Sequence, residues 1–127
     1  MSRELSLAEI FQLGYYWETK ILLTAVRLDV FSALDGKRKT LSEVAERIGA
    51  HASTLGLLLN ALVAMRLLEK DGDSYGNSTS AATHLVRNSA QYIGHLLLLH
   101  DAEWNNWGKL EQTIRTGQRS VDRHIFE

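Results

Sequence analysis

Cysteine and proline are both missing from these 127 residues. Without cysteine there are no disulfides, no thiolate metal sites and no cysteine nucleophile, which fits a reducing compartment. Without proline the chain lacks its strongest helix interrupter, which favours a mostly helical protein. Charge of one sign is lacking too: 14 Lys and Arg stand against 15 Asp and Glu, a formal net charge of −1. No overall basic field draws the chain to phosphate backbones. Unbroken apolar runs such as Leu96–Leu99 are far too short to span a bilayer. The opening MSRELSLAEI mixes charges before any apolar run and shows no signal peptide. What is present is apolar content, 45% of the chain, enough for one buried core. These bounds predict a soluble, cytoplasmic, helix-rich single domain.

The stretch from Thr40 to Asn77 organises the rest. TLSEVAERIG reads as a short helix, opened by a capping box of Thr40 with Glu43 and closed by Gly49. ASTLGLLLNALVAMRLL follows as a longer helix. The chain then turns through Asp71-Gly72-Asp73, between extended runs at Leu67–Lys70 and Ser74–Asn77. Helix, tight turn, helix and hairpin in that order predict a winged helix-turn-helix with a small β-hairpin wing.

Helices are expected on both sides of it. Ser6 and Glu9 form a first capping box, and a helical stretch runs from Leu7 towards Leu34, bent near Gly14. Tyr15, Tyr16, Trp17, Leu23 and Val30 spread apolar surface beyond one stripe, so this stretch must be covered on more than one side. Beyond the hairpin, Ser78 or Thr79 caps a short helix. Asn88 with Gln91 reads as the cap of another through QYIGHLLLLH, Asp101 as a restart, and Gly117 as a stop. Leu96 to Leu99 again face every side of their helix. Both all-round apolar segments point to a second copy of the chain as their cover. Lys37-Arg38-Lys39 reads as an exposed basic loop, and QRSVDRHIFE as a linker.

A DNA-reading helix needs polar and basic side chains facing outward. With Leu55, Leu58, Leu59, Leu62 and Met65 on the core face, the outer face is Leu57, Asn60, Ala61 and Ala64, with Gly56 beside it. Only Asn60 is able to read a base there, so nucleic-acid binding is not the expected function. The glycines stand singly, with no GxG, so the chain offers no glycine-rich cradle for a nucleotide-like cofactor. His95 and His100 lie five apart, on different helix faces, unlike the i, i+4 pair of a zinc site. Asp101 and Glu103 beside His100 make the one conceivable carboxylate–imidazole cluster, yet ordinary surface positions explain them better.

Four stretches together resemble a known family: ILLTAVRLDVFSAL; LSEVAERIGAHASTLGLLLNALVAMRLLEKDGDSYGNS; HLVRNSAQYIGHLLLL; and WGKLEQTIRTGQ. In this order they are similar to the N-terminal dimerisation domain of the S-adenosylmethionine-dependent small-molecule O-methyltransferases, the family of the acetylserotonin, plant phenolic and bacterial polyketide enzymes. His51-Ala52 stands where members often carry Asp-Pro. The resemblance implies a mainly α fold with extra N- and C-terminal helices forming an intertwined homodimer. It also implies that residues 1–117 form the dimerisation domain and that 118–127 lead to an α/β cofactor-binding domain absent from this chain. S-adenosylmethionine would belong to that domain, with no catalytic, cofactor or metal residue here. The family part around His100, Trp104 and Trp107 borders the acceptor pocket, where amphipathic aromatics suit a planar phenol; core or interface filling is the plainer explanation of the tryptophans. Tyr15, Tyr16, Leu23, Leu97 and Leu98 are the expected interface residues. Two other readings compete: a dimeric winged-helix regulator, whose DNA binding would weaken with salt, and a stand-alone small-molecule-binding dimer.

Overall fold

A computed structural model describes residues 3–119. The chain order is α1 (Leu7–Leu13), α2 (Trp17–Leu28), α3 (Val30–Ala33), β1 (Lys39–Thr40), α4 (Leu41–Ile48), α5 (Ala52–Ala64), β2 (Leu68–Asp71), β3 (Ser74–Asn77), α6 (Thr79–His84), α7 (Gly94–Trp107) and α8 (Leu110–Thr116). The protein is mainly helical, with one small antiparallel sheet in the order β1-β3-β2. No helix among the described residues is long and apolar enough to cross a membrane.

Local chemistry accounts for several boundaries. Both capping boxes form: the Glu9 N–H donates to Ser6 Oγ at 3.1 Å, and the Glu43 N–H to Thr40 Oγ1 at 3.3 Å. Each glutamate reciprocates by accepting from the cap's own N–H, at 3.2 Å and 3.0 Å. The Thr40 backbone N–H, and then its hydroxyl, hold the Glu43 carboxyl below the ordinary carboxylate range. Gly49 ends α4 in the left-handed region, with φ 71°, a conformation that costs any residue bearing a Cβ. His51 takes the N-cap position of α5 without a side-chain cap bond.

Four departures from the sequence reading have physical causes. The long N-terminal stretch bends twice, at Gly14 and again at Asp29, which adopts φ 60° between α2 and α3. The Asp29 carboxylate is held there by Arg87 Nε at 3.2 Å. The basic loop is not simply solvated: Lys39 and Thr40 pair with Tyr75 and Ser74 as a third strand. Arg38 lies over Gly76, where an added Cβ would meet its Cγ at 3.1 Å, and it pairs with Glu69 at 3.2 Å. Residues 88–93 form turns rather than a capped helix start, so α7 begins only at Gly94. It then passes through Asp101 without a restart. Gly56 lies on the buried side of α5, pressed against Leu41. The linker expected over 118–127 falls, from residue 120 on, outside the described residues.

The core gathers Val26, Val30, Phe31, Leu34, Val44, Leu55, Leu59, Leu62, Leu68 and Tyr75 from α2 to β3. Ala81, Leu85 and Val86 close it from the far side of the hairpin. Burying a full Leu or Phe side chain contributes about 1.5–3 kcal/mol, so this cluster is the main source of stability. Helix α7 packs back onto α2 and brings the C-terminal part of the chain against the N-terminal part.

Candidate functional site

The α2–α7 contact is tied by one carboxylate. Asp101, whose side chain is only 10% exposed, receives Arg27 Nη1 at 3.2 Å and Lys20 Nζ at 3.8 Å, both from α2. A carboxylate this covered needs compensating cations. Lys20 also places its ammonium 4.9 Å from the centre of the Trp104 ring, a cation–π arrangement that fixes the indole from one side. The Tyr16 ring lies 6.5 Å from Trp104. Tyr16 and Tyr15 both pack on Trp17, with ring centroids 5.7 Å and 3.8 Å away.

Beside this clamp an open cavity of about 550 Å³ is lined by Thr19, Leu23, His100, Glu103, Trp104, Trp107 and Gly108. Helical spacing explains the gathering: positions 100, 103, 104 and 107 fall on one stripe of α7. The structure therefore brings together the three residues singled out for a pocket: His100, Trp104 and Trp107. It adds Glu103 as the acidic group of the wall, and Thr19 and Leu23 from α2. These last two were not legible as pocket residues, because only the packing of α2 on α7 places them there.

Asp101 turns to α2 while His100 and Glu103 line the cavity. Among the described residues no three histidine or carboxylate side chains converge as a metal site. Nor do the described residues fit an S-adenosylmethionine cradle. Such a cradle needs bare glycine backbone after a strand. The one strand glycine, Gly76, is overlaid by Arg38, and Gly72 turns the β2–β3 hairpin.

The expected interface residues divide. Tyr15 and Tyr16 are exposed; Leu97 and Leu98 are partly buried against the core. Leu23 is a correction. At 1% exposure it is buried within its own chain and has no surface to give a partner. The other residues on the cavity wall, from α2, α7 and Gly108, belong to the same chain. The exposed leucines of the Leu96–Leu99 run are its two ends.

The outward face of α5 is apolar, with Leu57 72% exposed. Asn60, its one base-reading candidate, is already occupied. Its Oδ1 accepts from the Tyr75 hydroxyl at 2.7 Å and from Lys70 at 3.4 Å.

A family model described as the O-methyltransferase dimerisation domain matches residues 11–87. The tetracenomycin polyketide synthesis 8-O-methyl transferase TcmO of Streptomyces glaucescens is 39% identical over 108 residues, covering 84% of this chain and 32% of that protein. An O-methyltransferase family protein from Burkholderia thailandensis superposes with a TM-score of 0.79 at 30% identity, covering 91% of this chain and 35% of the other. NcsB1, an O-methyltransferase from neocarzinostatin biosynthesis in complex with S-adenosyl-L-homocysteine, superposes at 0.73 with 28% identity, covering 86% of this chain and 37% of its own. The chain spans about a third of the length of these relatives.

Proposed function

This chain belongs to the O-methyltransferase dimerisation-domain family, and from that premise we propose that it is the dimerising and pocket-closing part of an enzyme that moves a methyl group from S-adenosylmethionine to a small-molecule hydroxyl. The helix–turn–helix and hairpin of α4, α5, β2 and β3 act as a winged-helix scaffold turned from DNA to protein assembly. Residues 1–117 are the functional unit, and 118–127 lead toward a separate α/β cofactor domain. NcsB1, with its bound S-adenosyl-L-homocysteine, is a relative consistent with that cofactor.

One observation carries the assembly: where the exposed apolar residues lie. Among the described residues, all the large exposed hydrophobics except Leu28 and Leu57 lie between Leu5 and Trp17 or between Ile93 and Ile114. Helix α1 buries none of its own residues, yet shows Leu7, Ile10, Phe11 and Leu13 to solvent. A patch of this kind on an otherwise well-covered core marks a protein interface. Two copies related by a two-fold axis cover each other's α1, Tyr15, Tyr16 and the outer face of α7, with Leu97 and Leu98 just beneath. This homodimer then holds the cavity beside Trp104 and Trp107 against the catalytic half of the enzyme.

The regulator reading gains nothing from the structure: the outward face of α5 is apolar, and Asn60 Oδ1 is engaged by Tyr75 and Lys70. The enzyme reading is tested by the coding sequence beyond codon 127. A strand followed by a GxGxG turn is expected there, and a stop codon at that point would refute it for this polypeptide.

A further inference from the structure

The cavity between α2 and α7 has a chemical bias that the family assignment does not supply. We propose that it selects planar aromatic acceptors that are neutral or cationic and discriminates against those bearing a carboxylate, through Glu103. This rests on the reading of the cavity as part of the acceptor pocket. Its walls are the two indoles, Trp104 and Trp107, with Thr19 and the almost fully buried Leu23 also on the lining. Flat apolar faces with few polar groups suit an aromatic ring system, and the volume of about 550 Å³ lies within the range of sites for small organic ligands.

The charge argument follows from what surrounds the carboxylates. Glu103 is half-buried on the cavity wall, and no ion pair engages it among the described residues. Two cations of α2 are committed elsewhere. Lys20 and Arg27 both meet Asp101, and Lys20 in addition sits on the Trp104 ring. Asp101 is thus compensated twice, while Glu103 stands on the cavity lining without such a partner among the described residues. His100, four residues before Trp104 on the same stripe, is the remaining titratable wall group, able to donate or accept a hydrogen bond. A phenol or a protonated amine gives Glu103 a hydrogen to accept. A ligand carboxylate brings a second negative charge into the same partly desolvated space, where like charges a few ångströms apart repel appreciably.

The probes are 2-naphthol, 6-(aminomethyl)-2-naphthol and 6-hydroxy-2-naphthoate, each titrated at neutral pH into the 15N-labelled chain. The readout is the indole Nε1–H signals of Trp104 and Trp107, with Trp17 as the internal comparison. The neutral and cationic naphthols are expected to shift both cavity indoles, with the carboxylate at least about tenfold weaker. In Glu103→Gln, whose fold is checked by the dispersion of the same spectrum, the three affinities should draw within about twofold. Equal binding of all three to the unaltered chain, or tightest binding of the carboxylate, overturns the selectivity and leaves the aromatic pocket standing. So does a Glu103→Gln protein that still discriminates. Unmoved indoles with every probe overturn both the selectivity and the pocket reading beneath it.

Discussion

Replacing Phe11 with glutamate separates the fold of one chain from the assembly of two. Phe11 lies on α1, which buries no residue of its own, and it is 69% exposed in the single chain. Its loss therefore removes little from the core built on α2 to β3. In a two-fold dimer that covers α1, the exposed two-thirds of the ring is buried once per copy. Full burial of a Phe contributes about 1.5–3 kcal/mol, so this share is about 1–2 kcal/mol per copy, or about 2–4 kcal/mol for the dimer. That is a rise of roughly thirtyfold to a thousandfold in the dissociation constant. An unpaired carboxylate at the contact adds a desolvation cost in the same direction. Sedimentation equilibrium at matched concentrations reads the constant, and far-UV circular dichroism reads the helix content. The expected result is a weakened or absent dimer with retained helicity. A Phe11→Glu protein that dimerises as tightly as the unaltered chain would refute the assignment of α1 to the interface.

Asp101→Asn should cost about 1–2 kcal/mol in stability, because a mostly covered carboxylate loses both cations of α2, and thermal melting measures it. Gly49→Ala should lower stability by about 1–2 kcal/mol, since the left-handed backbone at φ 71° strains any Cβ. Glu43 has a folded-state pKa below its unfolded value, so its stabilising contribution is present above the ordinary carboxylate range and fades as the pH falls through the folded value. Denaturant titrations of Glu43→Gln should accordingly be flatter with pH in that acidic window. A slope unchanged from the parent chain would refute the capping account.

The parts of the fold legible in the sequence were those set by near neighbours. Capping boxes at Ser6 and Thr40, the Gly49 stop and the Asp71-Gly72-Asp73 turn all depend on residues a few positions apart. What was not legible depended on distant partners. Two residues of a basic loop become β1 only because Tyr75 and Ser74 offer a free strand edge. Asp29 bends the first helical stretch in a position braced by Arg87. Arg66, in the left-handed region at φ 66°, ends α5 without the glycine that usually signals such a stop. At the cavity, the α7 stripe of His100, Trp104 and Trp107 follows from helical spacing, whereas Thr19 and Leu23 join it through tertiary packing. Leu23 shows the limit most clearly: an apolar residue outside the main stripe reads as interface in the sequence, yet it is buried within its own chain.

The central claim is that the exposed surface of α1 and α7 exists to be covered by a second copy. Sedimentation equilibrium of the unaltered chain over a range of concentrations tests it most directly. The account predicts a mass twice the 14.3 kDa of the chain, persisting into the low micromolar range. A monomer at every concentration would contradict it.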